Sequence, residues 1–262
     1  MRRSAAALLA GAVAAIQLLA GGSPASAVGG AAAEPSRALL PNLWTRAPTG
    51  FRVDRGRTRT LLRVTNSIVN VGAGPIELDP RKTDCNGDGD LGNDRTAIQR
   101  IYVDADGDGA YDPAVDTGSA TRRVGCFRFD RRHRHWHFKN YAGYELARAS
   151  DGVVVATHRK VGFCLVDTEP IYPGIPGSPD DAVYNSCASD RAQGISPGWS
   201  DVYDQSLPGQ FVDVTSVPDG RYCFRSTVDP ADRIREADEA DNSAAIGLRL
   251  RGDAVAPLAG VC

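Results

Sequence analysis

The sequence predicts an all-β protein, an antiparallel β-sandwich with long loops and little helix. Three observations carry that prediction. Short runs in which apolar and polar residues alternate recur along the chain, and period-two alternation is what a half-buried strand shows. The 28 glycines and 16 prolines fall largely between those runs, where they make turns. Within a helix the same residues would each be penalised, and no long 3.6-residue apolar periodicity competes with the strands.

Taken in order, strands are predicted at residues 60–64 and 68–71, with Gly72-Ala73-Gly74-Pro75 punctuating the chain before a third at 76–78. Further strands are predicted at 143–146, 153–155, 162–166, 211–214, 222–224 and 246–250. Two long loops separate them: 79–123, dense in Asp and Gly, and 169–197, dense in Pro and Gly. Loops of that length in a compact domain carry function or are pinned by disulfides or ions.

Ahead of this domain, Arg2 and Arg3 precede an apolar run from Ala5 to Ala20 and then Ala25-Ser26-Ala27. This is the pattern of a secretory signal peptide, with cleavage expected after Ala27. The run is too short to cross a ~30 Å hydrocarbon core comfortably. The arginine pair leaves the general and twin-arginine export routes both open. Residues 28–38 are expected to be a disordered lead, and 39–262 the folded domain. Six cysteines without a Cys-x-x-Cys pair suit a secreted, disulfide-bonded extracellular chain and argue against a zinc knuckle or thioredoxin-like site. A net charge of −2, with no basic run beyond the cluster from Arg128 to Arg134, argues against nucleic acid and, after signal cleavage, against a membrane as partner.

Three of the four histidines stand at His133, His135 and His137. In an extended segment alternate side chains share a face, so the three imidazoles lie together while Arg134 and Trp136 face the other way. A flat strand would hold the outer two Cα atoms ~13 Å apart, far more than one ion bound at ~2.0 Å can span, so the segment must curve or bulge. Imidazole ligands of this kind admit zinc as readily as copper. A second metal pattern is acidic: Asp104, Asp106, Asp108 and Asp112, with Gly107 for a sharp turn, match the alternating carboxylates of a calcium loop. Asp84 through Asp94 is a weaker copy, and neither loop has the flanking helices of an EF-hand.

His133 to Leu146, closing on Tyr144-Glu145-Leu146, resembles the copper motif of the lysyl oxidase family, which ends in His-x-His-x-His before a tyrosine-bearing strand. Further segments are similar in order: His158 to Thr168 around Phe163-Cys164-Leu165, Gln193 to Gly198, Gly209 to Thr215, and Val228 to Asn242. The resemblance implies copper at the three histidines and oxidation of primary amines, possibly protein lysines, to aldehydes. Dioxygen would be the acceptor, and ammonia and hydrogen peroxide would be released. It also implies a quinone built from one lysine and one tyrosine. Lys160 falls on the family lysine, while Ser200 falls on the place assigned to the tyrosine, leaving Tyr203 as the nearest phenol and Asp201 as the candidate proton-abstracting base. Ser200 therefore raises an alternative, a copper- and calcium-binding extracellular β-sandwich that has lost the quinone and acts as a binding protein. By the same resemblance Glu236, Asp238, Asp241 and Asn242, with Asn42-Leu43, match a structural calcium site, and Cys126 would be bridged to Cys187.

Overall fold

The computed structural model describes residues 37–131, 133–159, 162–188 and 190–262, with only the backbone of residue 159. The expected signal peptide, most of the lead and Lys160 lie outside the described residues. The strands are β1 (Ala38–Leu39), β2 (Leu43–Thr45), β3 (Thr49–Arg55), β4 (Thr60–Asn70), β5 (Ile76–Arg81), β6 (Asp94–Val103), β7 (Ser119–Asp130), β8 (His135–Phe138) and β9 (Ala142–Arg148). They continue with β10 (Val154–Arg159), β11 (Glu169–Pro170), β12 (Gln193–Ile195), β13 (Trp199–Tyr203), β14 (Phe211–Asp213), β15 (Gly220–Val228), β16 (Ser243–Arg251) and β17 (Ala254–Leu258). No helix occurs among the described residues and every strand pairing is antiparallel, as the sequence predicts.

Three sheets form. One runs β12-β5-β6-β7-β8 with β1 against β6, and a second runs β10-β9-β15-β16-β17. The third is organised by β4, whose first half pairs with β3 and β14 and whose second half pairs with β2 and β13. Its alternation explains this double duty. Leu62 and Val64 enter a core with Tyr144, Leu146, Phe224 and Leu248. Ile68 enters a second core with Leu78, Phe127, Trp136, Phe163 and Trp199. The second core underlies β7 and β8, where the histidines lie.

The structure differs from the sequence reading at four places. The runs at 60–64 and 68–71 are one strand, because the intervening Asn66 is buried and its side chain is bonded by the Ser226 hydroxyl. The expected loop 79–123 contains β6 and the start of β7. The inward-facing Asp94, Thr96 and Gln99 of β6 are polar, so no apolar alternation marks the strand. Gln99 is satisfied by both the N–H and the carbonyl of Arg235 at 2.8 Å each. Residues 162–166 form no strand, only a bridge between Phe163 and Phe138. The end of the lead is ordered, since Ala38 pairs with Val103.

The disulfides also correct the expected pairing of Cys126 with Cys187. Cys126 is bridged to Cys85, and Cys187 to Cys164, while Cys223 is bridged to Cys262. Register decides the first pair. Cys126 stands opposite Thr96 on β6, and the acidic loop that begins at Cys85 folds back onto Asp94 of the same strand through backbone N–H bonds from Cys85 and Asn86.

Candidate metal centre

His135 and His137 belong to β8, the edge strand that pairs with β7 so that Arg128 faces His137 and Asp130 faces His135. Alternation puts Trp136 on the opposite side, buried edge-to-face against Phe129 with the Arg95 guanidinium 4.7 Å above its ring. His133 lies before the strand. The chain turns between Asp130 and His135, and Arg134 adopts φ 59°, a left-handed conformation uncommon for a residue with a Cβ. The turn is held by Asp130, whose carbonyl accepts the Arg134 N–H at 2.7 Å and whose carboxylate accepts the His133 N–H at 3.0 Å. This is the bend that the sequence requires. It brings His135 Nε2 to 2.7 Å and His133 Nδ1 to 3.4 Å from His137 Nε2.

One ligand nitrogen from each ring lies within 4.8 Å of the others. The two measured separations are less than twice a ~2.0 Å metal–nitrogen bond, so the donor set fits one ion of the imidazole-binding kind, copper included. Burial, aided by the charge of His133, lowers the His135 pKa below the ordinary histidine value against the opposing pull of Asp130. The neutral ring with a free lone pair is the ligating form.

A cleft of about 490 Å³ opens on two of the three, His133 and His137, and is lined also by His158, Arg128, Arg131 and Phe211. His158, the fourth histidine, stacks on Phe211 with ring centroids 4.6 Å apart. Gly162 also lines the cleft. A Cβ there would fall 2.7 Å from the His137 Cβ and 2.8 Å from the Phe138 carbonyl oxygen, so only glycine lets the chain cross β8 this closely. The next residue, Phe163, exchanges backbone hydrogen bonds with Phe138.

From Phe163 the contacts continue to the other candidate residues. Its ring stands edge-on to Tyr203 with centroids 3.8 Å apart, and the Tyr203 hydroxyl donates to the Cys164 carbonyl at 2.5 Å. Burial first, and the neighbouring Asp201 charge second, raise the Tyr203 pKa well above the usual phenol value. Asp201 is itself buried. Because β13 alternates, Ser200 faces away from both, its hydroxyl reaching 3.4 Å toward the Glu169 carbonyl. Asp201 is buried, and Tyr203, half-buried, packs against the core; neither is among the residues that line the cleft. Lys160 separates Arg159, the last residue of β10, from the Val161-Gly162 step in sequence.

Among the acidic residues, Asp104, Asp106 and Asp108 bring ligand oxygens within 4.8 Å of one another. Asp112 is not part of that group; its carboxylate accepts the Ala114 N–H. Asp116, which the calcium-loop spacing passes over, is buried and accepts the N–H groups of Ala105 and Asp112 at 2.8 Å each. Elsewhere the fold does gather Asn42, Leu43, Glu236, Asp238, Asp241 and Asn242. Glu236 accepts the Leu43 N–H and the Asn242 amide, Asn42 donates to Asp241 at 3.0 Å, and the Asp238 N–H donates to Asn42. Burial, with Glu239 and Asp229 nearby, pushes Glu236 up to about 9. Buried side-chain oxygens of Asp241 and Asn242 lack hydrogen-bond partners. Glu239 and Asp229 were not singled out from sequence, and the density of acids from Asp229 to Asp241 is the signal that marks them.

A lysyl oxidase family model matches residues 117–258, more than half of the chain. The chain belongs to the lysyl oxidase family. Chicken (Gallus gallus) protein-lysine 6-oxidase is 32% identical over 122 residues, 46% of this chain and 27% of that protein. Human lysyl oxidase homolog 2 is 35% identical over 112 residues, 42% of this chain and 13% of that protein. Pig protein-lysine 6-oxidase is 31% identical over 124 residues, 46% of this chain and 45% of that protein. The chain thus spans less than half the length of these relatives. The family match contains the histidine trio, Lys160, Tyr203 and the 236–242 part of the Glu236 cluster, while Asn42, Leu43 and the acidic loops at 84–94 and 104–116 precede it. No helix among the described residues is long and apolar enough to cross a membrane.

Proposed function

We propose that residues 39–262 form a secreted, copper-dependent amine oxidase of lysyl oxidase type, acting on primary amines, lysine side chains among them, with dioxygen as acceptor. One observation carries this reading. The segment that follows Lys160 touches both halves of the site: Gly162 passes over His137, and Phe163 packs on Tyr203. A quinone linking Lys160 and Tyr203 would have its phenol beside that segment. Tyr203, and not Ser200, is the phenol this reading uses; the alternative reading without a quinone rests on Ser200 at the place assigned to the family tyrosine.

The copper would be held by His133, His135 and His137, and together with the quinone it would supply amine oxidation and the return of electrons to dioxygen. The chain's own residues set the conditions for that chemistry. Phe163 and the Cys164 carbonyl orient the Tyr203 ring, and the packed core of Phe138, Phe163 and Tyr141 keeps water from its buried face. Asp201, buried next to Tyr203, is assigned as the group that takes the substrate proton. The Asp104 loop and the Glu236 cluster are assigned to calcium. Both concentrate carboxylates that a hard cation would neutralise, and a cation at the second would also meet the unpartnered oxygens of Asp241 and Asn242.

The test is release of hydrogen peroxide and ammonia in equal amounts from a simple primary amine by copper-loaded mature protein. Absence of both products from every amine tried would overturn the enzyme reading and leave a metal-binding family member.

A further inference from the structure

The cleft lined by His133 and His137 is also lined by two arginines, Arg128 and Arg131. Arg128 stands directly across β7 and β8 from His137, and cross-strand partners share a face of the sheet, so its guanidinium rises on the side where the imidazole lies. Arg131 enters from the turn that follows β7, and both line the cleft. Among the described residues neither guanidinium makes an ion pair, and what sets them apart from the other unpaired arginines is that both line a cleft beside the histidines. Two carboxylates are near. Asp130 is committed to the turn and to the flank of His137, 3.8 Å from Nδ1. Asp88, on the neighbouring acidic loop, senses the Arg128 charge without reaching ion-pair distance. The cleft is also lined by Pro208 and by Phe211, whose ring stacks on His158 and has the Arg59 guanidinium 5.4 Å from its centroid.

We propose that Arg128 and Arg131 select, for this cleft, a primary amine that carries an anionic group a few methylenes from its nitrogen. The guanidiniums take the carboxylate, the Phe211 wall covers the methylenes, and the amine is left toward the histidines. Guanidinium binds carboxylate with paired hydrogen bonds, which gives direction as well as charge. A cationic surround of this sign opposes a polybasic substrate and favours the uncharged form of the bound amine, the nucleophilic one. The same chemistry is offered by a free ω-amino acid and by a lysine flanked by Glu or Asp in a peptide.

This inference rests on the amine-oxidase reading for its turnover arm, and its binding arm stands apart. Copper-loaded protein is compared on 6-aminohexanoate against hexylamine, and on a lysyl peptide flanked by Glu against one flanked by Gln, by peroxide release. Binding of the same four compounds is measured by calorimetry on the Tyr203→Phe variant, which needs no turnover. The anionic member of at least one pair is expected to be preferred about tenfold in kcat/KM and in affinity, less at high salt. In Arg128→Gln/Arg131→Gln the ratio should fall to about one. Preference confined to 6-aminohexanoate identifies a small substrate, and preference confined to the Glu-flanked peptide identifies a protein substrate. Equal or reversed preference in both pairs overturns the proposal. Peroxide from no amine, with the binding preference intact, overturns only the enzyme reading.

Discussion

The Tyr203 hydroxyl donates its hydrogen bond to the main-chain carbonyl of Cys164, in the segment that follows Lys160. Ser200, three positions earlier on the same strand, reaches toward Glu169 on the other face. Strand alternation therefore separates two residues that a linear match treats as interchangeable. Ser200→Ala should keep amine oxidation within about threefold of the parent, since it removes one long hydrogen bond worth about 1 kcal/mol or less. Tyr203→Phe should abolish it and, by removing both the cross-link and the hydroxyl bond to the Cys164 carbonyl, unfold at a lower temperature while remaining folded at assay temperature. Peroxide release and thermal melting measure both. Lost activity in Ser200→Ala with retained activity in Tyr203→Phe would reverse the assignment.

Gly162 reports on the closeness of the two halves of the site. Gly162→Ala places a methyl against the His137 Cβ and the Phe138 carbonyl. Relief by displacement should destabilise the fold by about 1–3 kcal/mol and weaken copper binding more than any exposed substitution does. His135→Ala should remove most of the roughly one equivalent of copper per chain. Copper content by elemental analysis after dialysis checks the pair, and an unchanged stoichiometry in His135→Ala would remove the metal site.

Calcium should raise the melting temperature. An ion that binds only the folded chain at a hundredfold excess over Kd stabilises by about 2.7 kcal/mol, which for a domain of this size is a shift of roughly 5–10 °C. The measurement is melting after EDTA and after calcium add-back, with copper held constant. Asp104→Asn should remove part of the shift and Glu236→Gln another part. A melting temperature indifferent to calcium would count against both assignments.

Much of this architecture was legible from residue pattern. Where inward faces were apolar, as at Leu62 and Val64 or Phe224, the strands stood out. Where they were polar, as at Asp94, Thr96 and Gln99, β6 was hidden inside an apparent loop, because what marks it is a hydrogen-bonded partner 136 residues away and not a hydrophobic period. The histidine trio and its need for a bend were readable from spacing, and Arg134 supplies the bend. Disulfide pairing was not readable, since the Cys85–Cys126 bridge depends on the register of β6 with β7 and the other two on how segments apart in sequence are brought together. Nor was the orientation of Ser200 against Tyr203, which is set by the pairing of β13 with β4.

The most direct measurement is mass spectrometry of digested, copper-loaded protein. The account predicts one cross-linked species joining the peptide that contains Lys160 to the peptide that contains Tyr203, positive for a redox-cycling quinone stain and absent from Tyr203→Phe. Recovery of both peptides unmodified from fully copper-loaded protein would contradict it.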